Sequence, residues 1–319
     1  MIVVCGEALV DLIPVRHDQA ELFAPRVGGS PYNVAIGLAR QESPTGFLGR
    51  LSRDFFGQLL RYRLLANGVD GRYLREGSEL TTVAFVHLEE AKEPEYLFYL
   101  ENSVDRNLRP EDLPEAFPAE VVALHFGSFS LVLEPIASTL ETCMRREHGQ
   151  RLISLDPNIR SLLIPDRQAY QRRLDGWLEH TDLVKVSRAD LSWLYPGEPL
   201  EQVAQRWLAR GPRLVVVTRG EDGCIGFTLS DSVEIPNRPV DVVDTVGAGD
   251  AFMSGLLARV HERGLLNAAS LAALSTGDLE DVLAHASLTA MVTCTRAGAD
   301  PPARAELEQF GADQRTFRR

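Results

Sequence analysis

From about residue 120 onward, short apolar runs recur at 121–126, 152–156, 183–186 and 214–218, with helical stretches between them. Parallel strands cannot be joined by a tight turn, so each needs a crossover, usually a helix, before the next can lie beside it. Repeated strand–helix units therefore predict a parallel sheet with helices packed on its faces. Their spacing is too irregular for a solenoid, and no internal repeat or low-complexity tract is visible.

The first hundred residues read differently. Residues 2–5 are short, apolar and β-branched, and meet Gly6. With Glu7 and Asp11 close behind and no basic leader, they predict a first buried strand rather than a signal peptide. Residues 9–26 open with weak alternation and end in charge, which suits a strand exposed on one face. The break at Gly28-Gly29-Ser30-Pro31 precedes a predicted helix over 33–40, a strand over 46–51, and a helix over 54–66 stopped by Asn67-Gly68. That second helix is expected to bury Phe55, Leu59 and Leu60 on one face. Strand-like runs at 81–87 and 96–100 flank the polar stretch 89–95 and predict a hairpin. With the strand after residue 9, it would form a small sheet beside the main body.

A length of 319 residues accommodates one large α/β domain, alone or with a small appendage. With 45 acidic against 33 basic residues, the net charge of −12 argues against nucleic acid or an anionic membrane as a partner. No apolar run approaches the roughly 20 residues that span a bilayer. Cys5, Cys143, Cys224 and Cys294 form no CxxC pair, so reduced thiols in a cytoplasmic protein are expected rather than zinc or disulfides.

The most informative stretch is Asp244-Thr245-Val246-Gly247-Ala248-Gly249-Asp250, which leads into a helix expected to start near Asp250 and end before Gly264. A small-residue turn at a helix N-terminus leaves backbone N–H groups facing outward and attracts anions. Phosphoryl transfer needs such donors where charge spreads over the moving group. A carboxylate beside them can accept a proton from an attacking hydroxyl. The same residues would equally serve to turn the chain and cap the helix.

Residues 244–250 resemble the C-terminal signature of the ribokinase (PfkB) family of sugar kinases. Residues 28–35, a di-glycine followed by Asn33 on a helix, resemble its N-terminal signature. The resemblance spans the chain. It implies a single domain over 1–319: a Rossmann-like, ribokinase-like α/β fold with a parallel core sheet and a small β-sheet lid near 9–26 and 81–103. It implies ATP as phosphoryl donor with Mg²⁺, Asp250 as catalytic base, and Gly247, Ala248 and Gly249 as the anion hole. Asp11, Gly28, Gly29, Asn33 and Arg160 match positions that meet the sugar. Lys185, Thr218, Gly220, Gly223 and Ser287 match positions that meet the nucleotide. Asp190 stands where relatives carry a Glu near Mg²⁺, and its shorter arm suits a water-mediated contact; Ser187 replaces an Asn. The backbone near Asp244 and Val246, with the loop 295–299, matches a site for a monovalent cation, K⁺. Lid strands carry unpaired edges, and pairing two lids across a twofold axis would cover them, so a homodimer is expected.

Gly6 to Asp11, Gly28 to Pro31, residues 101–106, Phe126-Gly127-Ser128 and Asp156-Pro157-Asn158-Ile159-Arg160 look most like bacterial fructokinases. Where relatives commonly place an arginine, Leu100 stands, and an apolar side chain cannot pair with a substrate carboxylate. The expected reaction is transfer to the 6-hydroxyl of D-fructose. The alternatives are a 2-keto-3-deoxygluconate kinase, another sugar or nucleoside kinase of the family, or a sugar- and nucleotide-binding regulator without turnover.

Overall fold

In the first strand, Ile2 and Val4 pack into one hydrophobic cluster, Val3 and Cys5 into a second, and all four are fully buried. A strand that alternates between two apolar layers must lie inside a sheet covered on both faces. The structure, a computed structural model, describes residues 1–17, 20–87 and 95–316. Its strands are β1 (Ile2–Cys5), β2 (Leu9–His17), β3 (Ala20–Gly28), β4 (Thr45–Ser52), β5 (Leu74–Gly77), β6 (Val83–His87), β7 (Glu95–Tyr99), β8 (Ala123–Gly127), β9 (Leu152–Asp156), β10 (Leu183–Ser187), β11 (Leu214–Thr218), β12 (Cys224–Phe227) and β13 (Ser232–Ile235). Its helices are α1 (Ser30–Arg40), α2 (Phe55–Ala66), α3 (Ile136–Glu147), α4 (Arg167–Leu178), α5 (Arg188–Leu194), α6 (Leu200–Leu208), α7 (Ala248–Glu262), α8 (Ala268–Ala272), α9 (Thr276–Cys294) and α10 (Arg304–Thr316).

The main sheet has nine strands in the order β13-β12-β11-β10-β9-β8-β1-β4-β5. Pairing is parallel from β11 to β5, and the antiparallel β12 and β13 extend one edge. α1, α2, α7 and α9 feed one apolar layer; α3, α4 and α6 feed the other, around Trp177 and Trp207. This is the ribokinase-like α/β architecture expected, with a smaller four-stranded sheet, β3-β2-β6-β7, beside it.

Some expectations need correction. Residues 9–26 are not one strand: β2 and β3 pair antiparallel from Leu9↔Gly28 to His17↔Ala20. Pro14 lies past residues 10–12, the stretch where β2 pairs with β6, so its missing N–H costs that side nothing. α1 starts at Ser30 rather than 33, with Pro31 in the first turn, where no intrahelical bond is lost. α2 buries Gly57, Leu60 and Leu64, whereas Phe55 faces solvent at 73% exposure. The stretch expected to join the hairpin at 89–95 lies outside the described residues except for Glu95. No helix of the described residues is long and apolar enough to cross a membrane.

Asp156, Ser187 and Thr218 end β9, β10 and β11, so they share the carboxyl edge of the parallel strands. In open α/β sheets, that edge is where ligand crevices form. The smaller sheet packs on the body beside it, through Leu9 and Phe98 against Phe129. Asp11, Ala84 and Phe98 lie in register on one of its faces, and Phe98 meets Phe129 of the body at 5.7 Å between ring centroids.

Candidate active site

Gly247 caps the N-terminus of α7 with a φ of +75°, a left-handed conformation that strains any residue with a Cβ. A Cβ there would also stand 2.5 Å from that of Ala299. The turn therefore lies tightly against the loop 295–299. Asp244 fastens the same contact: its carboxylate accepts from the Val246 N–H at 3.0 Å and the Gly298 N–H at 2.7 Å. In the first turn of α7, the N–H groups of Gly249 and Asp250 have no intrahelical acceptor. The Ala248 N–H, by contrast, reaches the Thr245 carbonyl at 3.2 Å.

Asp250, in that turn, is 8% exposed. Its two carboxylate oxygens accept from α1: Oδ1 from the Ser30 hydroxyl at 2.7 Å, Oδ2 from the Asn33 amide at 2.8 Å. Each oxygen keeps a further acceptor site. Burial pushes its pKa up; the bonds from Asn33 and Ser30, then the charges of Lys185 and Arg160, pull against that rise.

Asp11 approaches the same region from β2. Burial pushes it up to about 6, with Asp250 adding and Arg160 opposing. A Cβ at Gly28 would come within 2.8 Å of Asp11 Oδ2, so the di-glycine leaves room for that carboxylate. Arg160 follows β9 and is anchored by Asn158, whose Oδ1 accepts from its Nη1 at 2.7 Å. Residues far apart in sequence thus meet around Asp250: Asn33 by a hydrogen bond, Asp11 and Arg160 through their charges, and Gly28 against Asp11.

Beside it lies a cavity of about 660 Å³ whose walls include Thr218, Gly220, Gly223 and Ser287, as well as Ala248 and Gly249. Phe252, Ala290 and Met291 supply an apolar side. This volume and mixed lining suit a small-molecule site. Lys185 is not in those walls. It is buried in β10, with its ammonium 2.9 Å from Asp156 Oδ2. Asp190 caps α5: its oxygens accept from the Ile159 N–H at 3.1 Å and the Ser187 N–H at 3.4 Å. Ser187, the last residue of β10, completes that capping box.

Two participants escape sequence reasoning. Ser30 lies inside the glycine signature, but its bond to Asp250 crosses 220 residues. Glu7 is 1% exposed, and burial pushes its pKa up to about 8; it pairs with Ser130 under the di-glycine loop. Its burial is legible only once β1 is known to be interior.

A helix start presenting N–H groups, a buried carboxylate beside it and an adjoining cavity together define a group-transfer site, and comparison with known proteins names the class. The profile described as pfkB family carbohydrate kinase matches residues 1–306, and the chain belongs to that family. Within it, the chain is similar to a fructokinase of Rhizobium leguminosarum bv. trifolii, 38% identical over 275 residues, 86% of this chain and 84% of that one. A fructokinase from Xylella fastidiosa with bound ATP superposes with a TM-score of 0.90 at 28% identity, over 98% of both chains. A fructokinase from Vibrio cholerae O395, in its fructose, ADP and calcium ion bound form, gives 0.83 at 29% identity, covering 97% of this chain and 98% of that one.

Proposed function

We propose that this chain is an ATP-dependent fructokinase that phosphorylates the 6-hydroxyl of D-fructose. The observation that carries this reading is the double position of the first turn of α7. It holds Asp250 within reach of the charges of Asp11 and Arg160, and it also forms part of the wall of the neighbouring cavity. A sugar on one side and a nucleotide on the other would meet at that turn.

Asp11, Gly28, Gly29, Asn33 and Arg160 hold the sugar in this scheme. Asp250 takes the proton of the 6-hydroxyl, the sugar oxygen forms its bond to the γ-phosphorus, and the bond to the ADP oxygen breaks. Gly247 and Gly249 meet the charge on the transferring group through backbone donors, while Ala248, whose N–H reaches the Thr245 carbonyl, shapes the turn between them. Thr218, Gly220, Gly223 and Ser287 bind the nucleotide, and Lys185 lies at its phosphate end. Mg²⁺, when bound, supplies positive charge to the phosphate oxygens. Both Asp190 oxygens already accept backbone N–H groups, which suits holding the ion through water rather than directly. Among the described residues, no cluster of three or more His, Cys, Asp or Glu could hold a metal. A K⁺ beside Asp244 and Val246 would rely on carbonyl oxygens of the two fastened loops. The smaller sheet acts as a lid that excludes water, within one domain spanning 1–319. The cytoplasmic setting expected from the four free cysteines goes with this reading.

Leu100 favours a neutral sugar: it is buried against Leu9 and Phe129 and offers no cation. ADP release with fructose, 2-keto-3-deoxygluconate, ribose and adenosine tests this. Fructose is expected to give the highest kcat/KM by at least about tenfold, roughly 1.4 kcal/mol of discrimination. Preference for ketodeoxygluconate would overturn the choice of sugar, and silence on every substrate would overturn the kinase reading.

The outward face of the lid fits a second copy of this chain. Phe23, Phe85 and Tyr99 form an edge-to-face run with centroids 5.2 and 5.5 Å apart, beside Leu97. Phe23, Leu97 and Tyr99 are 50%, 61% and 61% exposed, an apolar cluster that a twofold partner would cover. Light scattering is expected to give a dimer mass at micromolar concentration, and Phe23→Glu a monomer mass. A monomer mass for the unaltered chain would sink this idea.

A further inference from the structure

Of the 33 Lys and Arg residues in the chain, only Lys92 and Lys185 are lysine. Arginine serves almost everywhere else, so a lysine within an interior strand is chemically selective. A compact ammonium fits where a planar, forked guanidinium does not. Lys185 is 4% exposed and Asp156 1%. A buried ion pair of this kind is a poor source of stability, because removing both charges from water offsets most of their attraction. Asp156 is also only half used: Oδ2 accepts from Lys185, while Oδ1 is buried with no hydrogen-bond partner.

The pair has a particular neighbour. A Cβ built on Gly249 would stand 3.1 Å from Lys185 Nζ, so the ammonium rests against the first turn of α7. A helix N-terminus already carries positive partial charge. Two positive features placed side by side are unfavourable unless anions compensate them. In the protein alone, Asp156 and Asp250 compensate; in the reacting complex, a phosphoryl group does so too.

We propose that Asp156 is a positioning residue. It balances the charge of the Lys185 ammonium, which rests against the first turn of α7 and acts on both the Asp250 carboxylate and the incoming phosphoryl group. The assignment rests on the reading of Asp250 as base. A buried base must stay ionised to work, and burial opposes this. Charged groups reach Asp250 from several elements: Lys185 from β10, Asp156 from β9, Arg160 from the loop after β9, and Asp11 from β2. Asp190 of α5 acts on the pair itself. Lys185 favours the ionised form of Asp250, and Asp156 moderates that field.

The test is the acid limb of kcat/KM against pH, measured with fructose and Mg·ATP. Lys185→Met removes the cation and is expected to move the limb to higher pH. Asp156→Asn leaves the cation uncompensated and is expected to move it to lower pH. Each shift should be roughly one pH unit, the scale of a neighbouring charge. The double variant has the same net site charge as the unaltered chain and should return the limb to near its original position. KM for ATP should rise in Lys185→Met and change little in Asp156→Asn. A merely structural pair would displace both single variants alike, or neither, and that result overturns the proposal. If one single variant fails to fold, as thermal unfolding would reveal, a displaced limb in the double variant also overturns it. Failure of the underlying reading looks different: Asp250→Asn would then retain turnover.

Discussion

Asp250→Asn is expected to lower kcat by about 10²- to 10⁴-fold, the usual contribution of a positioned proton acceptor, with sugar affinity nearly unchanged. The amide is isosteric but cannot take the hydroxyl proton. Its surroundings tolerate it: the Ser30 hydroxyl can rotate to accept from the new amide, while Asn33 continues to donate to the new carbonyl oxygen. Asp11 and Arg160, the proposed sugar partners, come from other elements and keep their own contacts. Loss should therefore appear in kcat and not in the dissociation constant of fructose, which calorimetry reads separately. A kcat within about tenfold of the unaltered chain, well short of that range, would remove Asp250 from the base role.

Gly247→Val is expected to lower kcat by at least about 10²-fold, the loss associated with a disturbed oxyanion-hole donor. Two effects combine. The left-handed backbone at this position disfavours a β-branched residue most of all, and the new Cβ would collide with Ala299. Relief requires the N-terminal turn of α7 to move away from the loop 295–299, and its donors move with it. General destabilisation is the competing explanation, and the same helix offers a control. Gly264, just past the end of α7, has a φ of +70° with nothing within 4 Å of a built Cβ. Gly264→Val should strain the backbone comparably but keep kcat. Equal activity losses in both variants, tracking their melting temperatures, would show that the turn has no catalytic part.

What the sequence revealed depended on distance along the chain. The strands β8 to β11 were legible because each is a mostly apolar run, buried over at least its first four residues and bounded by helical sequence. The first turn of α7 was legible because its glycines and aspartate are contiguous. β12 and β13 were not: each has only four residues, β12 contains Gly226, and β13 alternates with Ser232 and Glu234 exposed. The β2–β3 pair was read as one strand because no Gly or Pro punctuates residues 17–20. Ser30 was passed over because its partner lies on a helix that only the folded sheet brings alongside α1. Glu7 follows the same logic: a carboxylate after an apolar strand reads as a strand end, and its hydrogen-bond partner, Ser130, lies 123 residues away.

The smaller sheet is threaded through the body rather than appended to it. One hairpin, β2 and β3, leaves from β1 and returns into α1; the other, β6 and β7, leaves after β5 and returns before β8. Asp11 lies on the first hairpin and Leu100 just past the second, so the residues that would sort one sugar from another arrive on separate stretches of chain. Exchanging sugar preference with a relative therefore cannot be done by grafting one contiguous segment. Both hairpins would have to be transplanted together with four matched junctions, one of which, Gly28-Gly29-Ser30, also carries a hydrogen bond to Asp250.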